Sequence, residues 1–215
     1  MDLTPIYAAL SALLAGLYLV RVTDPPGRTR TMLKTLSVLG LSLVALLGGG
    51  YVLLVLALIC CGIGDALLSR PGEGSLKAGM AAFGLGHLVY IVLFANQGGG
   101  IGVDWIHIVL QIAVLGACVM LSRWLWPDLG ELRTPVAVYM VLVSLTALLA
   151  LGLPNSLWPV TLGALMFLTS DALLAGEHFK LPPDSPTRHW SAPAIWLLYW
   201  GGQAAITAGF LYPHR

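Results

Sequence analysis

Apolar residues in this chain do not alternate with polar ones. They run on in stretches of about 17–22 residues, broken by short polar or glycine-rich intervals. A helix needs about 20 mostly apolar residues to cross a bilayer. The pattern predicts eight such helices, over residues 4–20, 31–48, 50–69, 76–95, 103–124, 134–152, 156–176 and 191–212. Only "GGGY" joins the second to the third, and only "GLPNS" joins the sixth to the seventh. Strand alternation is missing, which argues against a membrane barrel. The expectation is an all-α polytopic membrane protein, a single eight-helix domain over residues 1–215.

Composition points the same way. The chain is 58% hydrophobic and 10% charged, with a mean hydropathy of +0.86. Soluble domains carry about 25% charged residues. The net charge is +1 and there is no basic cluster, so no nucleic-acid partner is expected. Cys60, Cys61 and Cys118 lie inside apolar segments and read as small buried residues. The start of the chain has Asp2 and no basic region, so the first segment reads as a retained helix rather than a cleaved signal.

Charge also suggests a direction. Arg21, Arg28, Arg30 and Lys34, then Arg70 and Lys77, Arg123 and Arg133, and Lys180 and Arg188 all flank the odd-to-even loops; Arg215 alone lies at the opposite end. The positive-inside rule puts these loops in the cytoplasm and both termini outside. The few lysines and the Leu/Ala/Gly-rich sequence suggest a bacterial cytoplasmic membrane. Trp105, Trp124, Trp126, Trp158, Trp190 and Tyr212 fall near helix ends, where aromatic residues anchor at the interface.

Two acids break the apolar pattern. Asp65 stands in "GIGDALLSR" and Asp171 in "FLTSDALLAGE". An ionised Asp at a helix centre costs about 2.5–3.5 kcal/mol. Both are predicted to lie roughly 8–9 Å inside the same ends of parallel helices, at about 1.5 Å per residue, and so to share one cavity. The DALL tetrapeptide recurs at an offset of 106 residues, which suggests a four-plus-four repeat. Gly62 and Gly64 leave room for close approach to Asp65, and Thr169 and Ser170 are candidate donors to Asp171. Phe83, His87, Tyr90 and Phe94 share a helix face, as do Tyr199, Gln203 and Thr207. Lys34 and Tyr139 enter the membrane from the basic side. Lys34 reads as a phosphate ligand or as a cation that tunes an acid. Asp104, His107 and Gln111 share a face but receive no role, and His178 and His189 match no metal spacing.

"GIGDALLSR", "MAAFGLGHLVYIVLF", "GALMFLTSDALLAGEHF" and "LLYWGGQAAITAGF", in that order, make the chain resemble the lysoplasmalogenase family of YhhN-like membrane proteins. The resemblance implies an eight-helix bundle that hydrolyses the vinyl-ether bond of lysoplasmalogens to a fatty aldehyde and a glycerophospho-base. Its substrate would be a single-chain ether phospholipid drawn from the membrane, with no metal and no cofactor. The polar set it carries over is Lys34, Asp65, His87, Tyr90, Tyr139, Asp171, Tyr199 and Gln203. Thr35 and Cys61 stand where that pattern has proline and serine.

The chemistry fits two carboxyl groups. A vinyl ether hydrolyses by protonation at carbon, through an oxocarbenium-like transition state, and then by addition of water. One acid must carry a proton and one carboxylate must face the positive charge, the same problem that glycosidases meet with two carboxylates. Two other readings remain at this point. "GIGD" matches the GxGD of intramembrane aspartyl proteases, although no YD or PAL sequence accompanies it. A lipid- or ion-coupled transporter or binding protein would also place acids in helices, and broken helices at the acids would favour it.

Overall fold

The computed structural model describes residues 3–102, 104–182 and 184–212. Asp2 and Arg215, used above for the chain start and direction, lie outside them. Eight α-helices follow in order: α1 (Thr4–Val20), α2 (Arg28–Leu47), α3 (Val52–Leu68), α4 (Glu73–Asn96), α5 (Trp105–Leu125), α6 (Arg133–Leu151), α7 (Trp158–Lys180) and α8 (Arg188–Leu211). No strand occurs among the described residues. Short 3-10 turns cover 126–128, 130–132 and 155–157.

Six helices, α2 and α4–α8, are long and apolar enough to cross a membrane; α1 and α3 are apolar but have 17 residues each. The protein is an integral membrane protein.

Neighbour relations form a ring. α2 packs on α3, α3 on α4, α4 on α6, α6 on α7, α7 on α8, and α8 back on α2. α1 lies outside the ring against α2 and α8, and α5 lies outside it against α6 and α7. α5 turns Ile106, Val109, Ile112, Val119 and Met120 outward. That apolar face suits lipid, not water.

Several helix ends differ from the sequence expectation by about one turn. α2 starts at Arg28, α4 at Glu73 and α8 at Arg188, and α7 continues to Lys180. Polar residues there make local pairs that support an extra turn. Glu73 pairs with Lys77 on α4. Glu177, largely buried, takes a 2.6 Å bond from Nη1 of Arg188 and another from Oγ of Ser191. The distances of the two acids from their helix ends therefore differ: Asp65 stands three residues before the end of α3 and Asp171 nine before the end of α7.

Small residues set the closest approach. A methyl at Gly163 would lie 2.5 Å from the carbonyl oxygen of Gly202, so α7 and α8 touch backbone to backbone. One acid outside the α-helices, Asp104, is explained by capping. Asp104 accepts from the backbone N–H groups of Ile106 and His107, both at 3.0 Å, at the start of α5. Those bonds, His107 first, hold its carboxyl below the usual range. Gln111 ties Gly100 and Gly102 to the carbonyl of Leu148.

Candidate active site

The ring encloses a cavity of about 850 Å³ that opens at the end carrying Arg70, Glu73 and Glu131. Asp65 and Asp171 both line it, from α3 and α7. Lys34 of α2, Tyr139 of α6 and Tyr199 of α8 line it as well.

Each acid is held by two other helices. Nζ of Lys34 lies 2.9 Å from Oδ1 of Asp65, and the Tyr199 hydroxyl donates to Oδ2 at 2.8 Å. Asp65 is fully buried. The Tyr139 hydroxyl donates to Oδ2 of Asp171 at 2.6 Å, and Nε2 of His87 stands 3.5 Å from the same oxygen. The Asp171 side chain keeps 14% of its surface exposed, so the cavity reaches it directly.

His87 is fixed from behind. Its Nδ1 lies 3.1 Å from the Thr146 hydroxyl, which itself donates to the carbonyl of Leu142 at 2.9 Å. A hydroxyl has a single proton, so with that bond made it accepts from Nδ1–H. The Nε2 then faces both Asp171 and the Tyr139 hydroxyl, which stands 3.4 Å away. The imidazole also lies against Phe167 at 4.7 Å between ring centres.

Tyr90 and Gln203 stand apart from the cavity. The Tyr90 hydroxyl donates to Oε1 of Gln203, and both are fully buried. With Phe94 and Ile206 they fill the ring beyond the acids and close it. Thr207 donates to the carbonyl of Gln203 on its own helix.

Two expectations need correction. Gly62 and Gly64 admit neighbouring side chains: a methyl at Gly62 would meet Leu39, and one at Gly64 would lie 2.5 Å from the Phe83 ring. Ser170 donates to the carbonyl of Ile195 and Thr169 to that of Leu165, so neither serves Asp171. α3 and α7 run unbroken past their acids, without the interruption a transporter reading calls for. Sequence reasoning missed Thr146, whose only signal is its position one helical turn beyond Leu142 on α6.

The YhhN family model matches residues 29–210. The chain belongs to the YhhN family. Among relatives, a Mycobacterium tuberculosis protein named lysoplasmalogenase is 33% identical over 165 residues, 74% of this chain and 60% of that protein. The human protein named lysoplasmalogenase TMEM86B is 34% identical over 164 residues, 76% of this chain and 66% of that protein. The uncharacterized membrane protein YhhN of Escherichia coli O6:H1 is 31% identical over 137 residues, 59% of this chain and 62% of that protein. The chain thus spans about 60% of the length of the mycobacterial relative. No solved structure matches it.

Proposed function

We propose that this YhhN protein is a membrane hydrolase that cleaves the vinyl-ether bond of lysoplasmalogens. The observation that carries the reading is two aspartates on one cavity, each held by a tyrosine and one nitrogen-bearing side chain, inside a lipid-embedded ring. Named relatives supply the substrate class.

The two acids have different surroundings, and this divides their roles. Asp171 is open to the cavity and has no lysine or arginine beside it among the described residues; it is the proton donor. Its proton goes to the carbon of the vinyl group distal to oxygen. The positive charge that develops on the ether side faces the carboxylate left behind. Water adds to the oxocarbenium carbon and loses its proton to a carboxylate of the pair. The hemiacetal collapses to a fatty aldehyde and a glycerophospho-base. Asp65, with Lys34 at 2.9 Å, is the ionised member and fixes the second negative centre. Tyr139 and Tyr199 hold the carboxyl groups still, and His87 orients Asp171.

All eight helices cross the membrane in this reading, with basic loops and cavity mouth in the cytoplasm, in a bacterial inner membrane. A four-plus-four origin has support in the site. Lys34 on α2, Asp65 on α3 and Tyr199 on α8 correspond, at a shift of four helices in chain order and half-way around the ring, to Tyr139 on α6, Asp171 on α7 and His87 on α4.

The test is aldehyde release by the purified protein in lipid nanodiscs. A lysoplasmalogen should be cleaved and its saturated 1-alkyl counterpart should not. In deuterated water the aldehyde should gain one deuterium next to its carbonyl. Release without that deuterium would rule out carbon protonation.

A further inference from the structure

The Lys34 ammonium is taken up by Asp65, and this leaves the lipid phosphate without the partner that the sequence suggested. Two other cations line the same cavity: Arg30, one turn before Lys34 on α2, and Arg70, just past the end of α3. Other basic side chains near the mouth are already engaged. Lys77 pairs with Glu73, Lys180 with Asp128, and Arg188 with Glu177. Arg30 and Arg70 have no carboxylate within ion-pair distance among the described residues.

Arg30 is also pre-positioned. Its Nη2 donates to the carbonyl of Val22 at 2.9 Å, and its guanidinium lies 5.6 Å from the centre of the Tyr18 ring. Tyr18 and Val22 line the cavity beside it. The Nε of Arg30 is buried without a hydrogen-bond partner. A guanidinium has five N–H donors in a fixed plane, and the bond to Val22 uses one, so Nε and the remaining hydrogens are left to meet phosphate oxygens.

We propose that Arg30 and Arg70 form the phosphate-binding subsite of this cavity, taking the phosphodiester of a single-chain lipid or of a glycerophospho-base. The subsite gives the substrate a direction. Its head group rests against the α2–α3 side of the mouth, and its first chain carbons reach inward to Asp171. This assignment rests on the hydrolase reading for its catalytic meaning, but binding tests it separately.

The binding probes are 1-alkyl-glycerophosphoethanolamine, which cannot be cleaved as a vinyl ether, and 1-alkylglycerol, which has no phosphate. The full chain in nanodiscs should bind the first more tightly. Arg70→Gln and Arg30→Gln should each shrink that preference by about tenfold, as loss of a charge-assisted hydrogen bond does. Arg30→Lys, which keeps the charge and loses the guanidinium, should recover part of it even if Arg30→Gln folds poorly. Competition by chain-free glycerophosphoethanolamine would place the released base in the subsite; arginine-dependent binding without such competition would assign it to the intact lipid. Equal binding of both probes, or equal weakening of both by Arg70→Gln, would overturn the proposal. In turnover, the ratio of kcat/KM for alkenyl-glycerophosphoethanolamine over alkenylglycerol should fall by the same factor. A wild-type chain that cleaves neither lipid yet keeps the arginine-dependent preference would sink the hydrolase reading and leave the subsite standing.

Discussion

Nζ of Lys34 lies 2.9 Å from Oδ1 of Asp65, inside a ring of apolar helices where the carboxylate has no contact with water. This pair makes the two aspartates unequal in stability as well as in chemistry. Breaking a buried ion pair by removing one partner costs about 3–5 kcal/mol, because the other charge is stranded. Lys34 keeps 18% of its side chain exposed, so the low end of that range applies. Asp65→Asn should therefore lower thermal stability, and Lys34→Met should do so too. The double variant should regain much of the loss. Asp171→Asn strands no lysine or arginine and should unfold near the wild-type temperature. Thermal melts of the four proteins in one detergent measure this; equal melting of Asp65→Asn and wild type would mean that the pair contributes nothing.

Catalysis should tell the acids apart from the packing. Asp65→Asn and Asp171→Asn should each reduce aldehyde release by at least about 10²-fold, the lower end for lost acid–base help. The double variant should be little worse than either, as residues acting as a unit are strongly non-additive. Losses that simply multiply would show that the two carboxyl groups work independently.

Thr146 offers a test of the orienting role of His87. Thr146→Val keeps the shape and removes the acceptor for Nδ1–H. The imidazole is then free to take its other tautomer, and kcat should drop by about tenfold, in proportion to one lost hydrogen bond, while KM holds. Thr146→Ser should restore the rate. A fall in KM and kcat together, unrescued by serine, would point to packing alone.

Glycine 64 links helix packing to the site. A methyl there would sit 2.5 Å from the Phe83 ring, whose centre is 5.7 Å from that of Tyr199. Gly64→Ala should push Phe83 against the tyrosine that holds Asp65. Overpacking of this kind costs about 1–3 kcal/mol. The variant should melt earlier and cleave more slowly, and Phe83→Leu in the same chain should relieve both. No relief would separate the two positions.

The helices were legible because lipid demands long apolar runs, and the eight runs in the sequence match the eight helices. Their ends were not, because composition marks where a chain leaves hydrocarbon, not where hydrogen bonding stops. Glu177 illustrates this: the apolar run stops just before it at 176, yet Arg188 and Ser191 cover it and the helix continues to Lys180. Residue types in the site were legible too, since Asp65, Asp171 and Lys34 stand out against apolar neighbours. Their partners were not. Tyr90 and Gln203 are 113 positions apart, and nothing in either helix pattern says that each satisfies the other away from the cavity. That Lys34 is taken up by a carboxylate rather than left free depends on a single distance, that between Nζ and Asp65.

The closed ring beyond the acids has a consequence for traffic. His87, Tyr90, Phe94, Gln203 and Ile206 are fully buried and do not line the cavity, so access is from the end carrying Arg70, Glu73 and Glu131. A lipid that enters by its chain or its head must leave by the way it came. In the proposed reaction, aldehyde and glycerophospho-base would then be delivered to the same leaflet, and a lipid held in the opposite leaflet would have to flip first.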